Sequence, residues 1–415
     1  MPTEPLTFPM TASGPFDPAR EILAMRGERS IARVRYPDGR LGWVVTRYPT
    51  IRAVLADPRF SARQELRGSP FSAAEIPPAL PGMFIGMDDP DHARYRRLLT
   101  GQFTVRRMRR LAARVERIAE ERLDRMEAAG PPADLVREYA APVPALMICE
   151  LLGVPDDYRE RFQADVTEMI RQDTTPEDRQ RVMADVGGRL GELVRRKRAE
   201  PADDILGGLV TNGGLTDEEL TNIAFMLLGA GFDTTANVLG LGAFALLLNP
   251  GRIPALTDPE TADGAVEELL RYLPVVPGTI RAALEDVEVE DVLVRAGESV
   301  MVSLPGGNRD PERFPDPDTL DLTRPATGHL AFGHGVHQCL GQQLARIELR
   351  AGFSALFRRF PDLRLAVPPE KVPLRDDMII YGVHELPVTW GSPDPGGPHS
   401  VRNGYADDAV RTGQA

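Results

Sequence analysis

The stretch Ala331-Phe332-Gly333-His334-Gly335-Val336-His337-Gln338-Cys339-Leu340-Gly341 places one cysteine in a glycine-bracketed loop that runs directly into an amphipathic helix over Gln342–Phe357. A thiolate ligand to a flat metal cofactor requires such an arrangement. Gly333 and Gly335 permit a tight reversal with positive φ, and neither sets a Cβ in the path of an approaching ring. Gly341 lets the start of the helix lie close to the same ring. The amides of Leu340 and Gly341, free at a helix N-terminus, can donate to a sulfur anion.

Upstream, Gly229-Ala230-Gly231-Phe232-Asp233-Thr234-Thr235 sits midway along a long helical stretch. That stretch opens at the capping box Thr216-Asp217-Glu218-Glu219 and stops at Asn249-Pro250-Gly251. A bulge or loosened turn at Gly231 would free backbone carbonyls and open a groove wide enough for dioxygen and water. Asp233 and Thr234 then form an acid–alcohol pair able to relay protons. Glu268 and Arg271, at i and i+3, share a helix face and can pair, as His92 and Arg96 share another at i and i+4.

The 415 residues are 42% hydrophobic and 27% charged, the balance of an ordinary globular protein. Proline and glycine are spread through short turns, and neither a linker nor a repeat interrupts the chain. A single domain over 1–390 is expected, followed by a polar, disordered tail over 391–415. Ile31–Tyr36 and Leu41–Val45 read as a hairpin around Pro37-Asp38-Gly39-Arg40, Pro49–Ala56 as a short helix, and Ser61–Met87 as a long loop. Helical periodicity covers Arg106–Ala129, Val136–Leu152, Asp156–Gln172, Pro176–Ala199 and Ala262–Tyr272. Strand-like alternation appears over Val287–Val302 and Met378–Trp390. The fold class is therefore mainly α with a small β region.

Composition excludes several functions. Two cysteines build no disulfide framework, and Cys149, inside an apolar run, reads as a buried inert thiol. Met1–Ala19 carries three prolines before position 10, no basic segment and no long apolar stretch. It reads as neither signal peptide nor membrane anchor, so a cytoplasmic protein with no membrane contact is expected. A net charge of −12 argues against nucleic acid. Seven arginines nevertheless crowd between Asp88 and Arg110 (Arg94, Arg96, Arg97, Arg106, Arg107, Arg109, Arg110). They read as a solvated helix face or as a docking patch for an acidic partner. His92, His334, His337 and Cys339 do not make a zinc site, because no second local thiol completes a Cys-x-x-Cys knuckle.

From Ile31 to Trp390 these motifs resemble the cytochrome P450 family. Phe332, Gly333, Gly335, His337, Cys339 and Gly341 fall where that family's haem-binding loop has its Phe, Gly, Gly, His, Cys and Gly. The resemblance implies haem b between the long central helix and the Cys-loop helix, with Cys339 as the iron ligand. Ala230, Gly231, Asp233 and Thr234 match the family's oxygen-activating segment, and Glu268 with Arg271 its buried structural pair. An arginine often joins that pair from the meander. This chain has Thr319 at the expected position, which leaves Arg309, Arg313 or Arg324 as third partner. His92, Arg96, Arg281 and His337 match propionate-binding positions, and a planar guanidinium fork suits a carboxylate. His334 is assigned no role.

Candidate pocket residues are Phe71, Phe84, Ile85 and Met87 in the long loop, and Leu227, Ala230 and Phe232 on the long helix. Val276, Thr279, Ile379 and Ile380 complete them, each weighed equally against plain core packing. Their apolar character favours a hydrophobic substrate. No flavin or iron–sulfur motif is present, so the resemblance implies two electrons from a ferredoxin fed by an NAD(P)H-dependent reductase. A monomer is expected. The leading reaction is hydroxylation or epoxidation of a natural-product intermediate with dioxygen, and oxidative C–C, C–N or aryl coupling stays open beside it. A non-catalytic haem sensor is the distant alternative, disfavoured because a sensor has no use for the Asp233–Thr234 pair.

Overall fold

The computed structural model describes residues 4–25, 29–69, 75–155, 161, 165 and 175–391. Phe71, most of the expected helix Asp156–Gln172, the side chain of Arg106 and the tail over 392–415 lie outside the described residues.

The helices are α1 (Arg20–Met25), α2 (Tyr48–Ala56), α3 (Asp91–Thr100), α4 (Val105–Ala129), α5 (Pro142–Leu152), α6 (Pro176–Ala199), α7 (Ile205–Asn212), α8 (Asp217–Leu248), α9 (Pro254–Thr257), α10 (Ala262–Tyr272), α11 (Leu304–Asn308) and α12 (Gln342–Arg359). The strands are β1 (Leu6–Thr7), β2 (Ile31–Arg35), β3 (Leu41–Val45), β4 (Phe60–Ser61), β5 (Ala133–Asp134), β6 (Thr279–Ala283), β7 (Val287–Val289), β8 (Val292–Val294), β9 (Ser299–Val302), β10 (Arg364–Leu365) and β11 (Pro387–Thr389). The main sheet runs β1-β2-β3-β9-β6-β4, with β3 parallel to β9 and β6 antiparallel to it. That register sets Arg281 opposite Val300 on the buried β6 strand.

The helices carry most of the core. α12 packs along α4 and α8, while α5 and α6 flank α8. α8 is the long helix expected from the sequence. The Thr216 hydroxyl accepts from the Glu219 amide at 3.1 Å, and the Glu219 carboxylate accepts from the Thr216 amide at 2.7 Å. Most of α8 is buried on all sides, as a central helix hydrophobic all round must be. It is apolar enough to cross a membrane by length and composition, and 72% of its apolar window is buried inside the fold.

Two expectations need correction. No bulge forms at Gly231: α8 is helical without interruption, and the Thr234 hydroxyl donates back to the Ala230 carbonyl at 2.9 Å. A Cβ at Gly231 would meet Ile148 of α5 at 3.1 Å, so this glycine serves close helix packing. The expected strand over Met378–Trp390 shrinks to β11, because Met378–Gly382 forms an irregular loop closed by the Arg375 amide donating to the Gly382 carbonyl.

Candidate active site

The cysteine loop reverses as its glycines require. Gly333 and Gly335 have φ of 68° and 75°, in the left-handed region that only glycine enters freely. Their surroundings differ. A Cβ on Gly333 would meet nothing within 4 Å, whereas one on Gly335 would strike the Leu55 carbonyl of α2. Only Gly333 leaves room for a ring, and Gly335 instead lets the loop close on α2. The Gly333 amide donates to the Leu330 carbonyl at 2.8 Å and the Cys339 amide to the Phe332 carbonyl at 2.9 Å.

Cys339 is exposed by surface area yet enclosed by protein, the signature of a sulfur facing an internal slot. Burial pushes its thiol up. The Gly341 amide, the charges of Arg96 and Arg346 and the Gln342 amide oppose that shift. The second amide donor is therefore Gln342 and not Leu340. A metal cation at the sulfur would add to the bias toward thiolate that these amides and arginines begin.

α8 packs against α12, the helix that follows the loop. It runs beside α12 through the Thr235 hydrogen bond to buried Glu348 and the packing of Gly242 on Phe353. Just before this contact, Gly229 and Ala230 are exposed although Met226, Leu227, Leu228 and Phe232 are buried. A Cβ on Gly229 or Gly341 would again meet nothing within 4 Å. A flat ring between α8 and the loop fits these open faces.

Beside the slot stands a basic cluster. The Arg96 guanidinium holds the loop by donating to the Gln338 carbonyl at 2.6 Å. Arg281 is buried and donates to the Thr279 hydroxyl at 3.1 Å; burial, then the charge of Arg67, pushes it down to about 10, against an opposing pull from Asp88. The rings of His92 and His337 lie 4.0 Å apart. His92 Nδ1 sits 3.1 Å from Asp89, while its buried Nε2 has no partner among the described residues. Burial first, then His92, Arg281, Arg96 and Arg67, push His337 down to about 3. Three arginines, Arg281 buried and Arg67 and Arg96 half-buried, beside an orphaned imidazole nitrogen fit a ligand that brings carboxylates. Arg67 was missed in the sequence because it stands in the long loop outside any motif.

Asp233 and Thr234 lie on α8 next to the exposed Ala230. Arg375 approaches the Asp233 carboxylate at 2.8 and 3.3 Å, and Asn237 donates to it at 3.0 Å. Neither partner was identified from the sequence. Asn237, at i+4, was recoverable from helical spacing; Arg375 carried no signal.

Behind the loop, Arg271 pairs with Glu268 through a two-pronged contact at 2.7 and 2.8 Å, and both side chains are fully buried. Arg324 is the third partner, with Nε 3.2 Å from Glu268. Thr319 contributes its backbone carbonyl to Arg271 at 3.3 Å. Arg309 pairs instead with Asp318, and Arg313 donates to the Thr327 carbonyl.

The pocket candidates divide. Phe84, Leu227 and Phe232 are buried core residues, and Phe84 packs near His92. Ile85 and Ile379 are exposed, while Met87, Val276, Thr279 and Ile380 are half-buried. The Tyr381 amide donates to the Val275 carbonyl at 2.9 Å, which brings the Ile379–Ile380 loop to the Val276–Thr279 turn. In the arginine patch, Arg94 is taken by Glu219, and Arg107 by Gln102 and Asp203. Arg97, Arg109 and Arg110 are exposed, with Arg110 only 3.8 Å from Asp203.

The chain is similar to known proteins over nearly its whole length. A family model described as Cytochrome P450 matches residues 256–378. Cytochrome P450 105C1 of a Streptomyces species is 51% identical over 389 residues, 93% of this chain and 99% of that protein. Pentalenic acid synthase of Streptomyces avermitilis is 40% identical over 393 residues, 93% of this chain and 98% of its own length. The crystal structure of cytochrome P450 MoxA from Nonomuraea recticatena aligns with a TM-score of 0.88 at 43% identity, covering 94% of this chain and 99% of that one. This chain belongs to the cytochrome P450 family and is a haem-dependent monooxygenase of the actinomycete type.

Proposed function

We propose that the protein binds haem b through Cys339 and uses dioxygen and two electrons to hydroxylate or epoxidise a hydrophobic natural-product intermediate. The electrons come from a ferredoxin and its NAD(P)H-dependent reductase. The observation that carries the reading is Cys339 itself, a sulfur facing an internal slot with the Gly341 and Gln342 amides directed at it. When bound, the haem supplies the redox metal at which dioxygen is cleaved.

The chain's residues do the rest. Gly229, Gly333 and Gly341 leave the ring faces clear. His92, Arg96, Arg281 and His337, with Arg67 beside them, receive the two carboxylates and fix the ring's rotation. The Thr234 hydroxyl, now directed at the Ala230 carbonyl, turns to donate toward the oxygen site. Asp233 refills that proton when its pair with Arg375 opens. Ile85, Met87, Val276, Thr279, Ile379 and Ile380 contact the substrate and exclude water. The substrate class draws support from the pentalenic acid synthase relative and from this apolar lining.

Arg109 and Arg110 on α4, the helix packed against α12, offer the exposed charge for an acidic electron donor. Reversing both charges is expected to slow reduction and flatten its salt dependence, and unchanged reduction rates would remove this surface from consideration.

The decisive experiment is the absorption spectrum of the dithionite-reduced protein under carbon monoxide. A strongly red-shifted Soret band that vanishes in Cys339→Ala establishes the thiolate ligand. A band typical of histidine or neutral thiol ligation rejects it.

A further inference from the structure

Glu267, next to the buried Glu268, plays no part in the reading above, yet it is strongly engaged. Burial alone would raise its carboxyl, but His329 and Arg346 outweigh that and pull it down to about 2. Arg346 Nε and Nη2 lie 2.5 and 3.0 Å from the two carboxylate oxygens. Its Nη1 reaches the Gln342 carbonyl at 3.3 Å and the Gln342 side-chain oxygen at 3.1 Å. With its edges engaged, the guanidinium lies over Phe332, 4.6 Å from the ring centroid.

His329 completes the group. Its side chain is 1% exposed, and its ring centroid lies 5.6 Å from that of Phe332. Nδ1 accepts from the Ala331 amide at 3.1 Å, so the ring proton sits on Nε2, which stands 3.2 Å from the Glu267 carboxylate, within ion-pair range but outside hydrogen-bond geometry. Phe332 is thus touched by two of the three members, and its carbonyl accepts from the amide of Cys339. A chain of contacts, buried at His329 and half-buried elsewhere, links α10, α12 and the sulfur-bearing loop.

We propose that Glu267, Arg346 and His329 form a clamp that positions the Cys339 loop through Phe332, while the Arg346 charge tempers how strongly the sulfur donates to the metal. All three are positioning residues, since none reaches the reacting atoms. The proposal rests on the haem–thiolate reading.

The test uses the full-length holoenzyme and two readouts, the thiolate share of the ferrous carbon-monoxide complex and the iron's reduction potential. In Arg346→Met the ratio of thiolate to non-thiolate form falls about tenfold, the scale of one lost charge-assisted hydrogen bond. The potential drops as well, because a cation near the iron is gone. Arg346→Lys keeps the charge and loses the fork, so the ratio falls while the potential stays near the parent's. Glu267→Gln, nearly isosteric, shifts the potential upward. Opposite shifts at positions 346 and 267 cannot come from general loosening, which would move both the same way. If Arg346→Met fails to take up haem, Arg346→Lys and Glu267→Gln still carry the test. Shifts of one sign, or variants indistinguishable from the parent, overturn the clamp. A parent with no thiolate band fails the haem–thiolate reading and takes the clamp with it; a parent with the band and unaltered variants rejects the clamp alone.

Discussion

The two walls of the proposed haem slot are held in opposite ways. On the cysteine side the loop is pinned by its own backbone and backed by Glu268, Arg271 and Arg324, whose side chains are at most 10% exposed. On the α8 side the helix is continuous, and the carboxylate proposed to deliver protons, Asp233, is a fifth exposed and paired with a residue 142 positions away. Removing a member of the first group strands a buried charge. Opening the second pair lets an acid reach water. The comparison teaches that one wall is locked by buried charge, while the other holds its carboxylate in a pair that can open, as the proposed proton delivery requires.

The largest expected effect breaks the first wall. Glu268→Ala leaves Arg271 buried without its partner, a change that costs about 3–5 kcal/mol. Little folded holoprotein should be recovered, and what is recovered should unfold at much lower denaturant. A variant with parental haem content and unfolding midpoint would mean that the Glu268 group is incidental and the two walls do not differ.

How much of this was legible depended on whether the contact was local. The cysteine loop, the capping box of α8 and the Glu268–Arg271 pair all fit within a few residues of sequence, where backbone reversal and helical spacing dictate neighbours. The third partner, Arg324, was left among three arginines because an irregular meander has no period from which to read direction. Arg375 was invisible for the same reason. The expected bulge at Gly231 failed because a glycine in a helix has two explanations, loosened backbone or close packing, and Ile148, on another helix, decides between them. Gly335 repeats the lesson: its need for positive φ was readable, its contact with Leu55 was not.

A sharper cut separates Asp233 from its restraint. If Asp233 supplies protons, Asp233→Asn lowers product formed per NAD(P)H consumed by about 10²-fold, the lower range for a lost general acid. Arg375→Gln frees the carboxylate without removing it and should lower coupling by less than about tenfold, a loss smaller than 1.4 kcal/mol. The double variant should match Asp233→Asn, since Arg375 acts only through that carboxylate. Additive losses would show Arg375 working elsewhere. An Arg375→Gln as damaging as Asp233→Asn would make the pair a scaffold and erase the contrast between the walls.

The smallest effect concerns how α8 is anchored, as distinct from what it does. Glu219 is buried at the helix start. Burial opposes its charge, but donation from Arg94, the Thr216 amide and Tyr95 prevails and draws the carboxyl down to about 2. A folded pKa below the unfolded value near 4.5 means that Glu219 stabilises the fold fully above that value, and less as pH falls toward 2. Glu219→Gln keeps an acceptor for the Thr216 amide but loses the charge, so it should lower the thermal midpoint at pH 7 by about 1–2 °C, the shift from weakening charge-assisted hydrogen bonds by about 1 kcal/mol in a chain of this size. The gap between variant and parent should narrow as pH is taken below the unfolded value, and the carbon-monoxide band should stay unchanged at pH 7. A gap that is constant with pH would mean that the carboxylate's charge contributes nothing. A weakened band would mean that the anchor of α8 and the thiolate wall are mechanically joined, so that the second wall holds the first in place as well as feeding it protons.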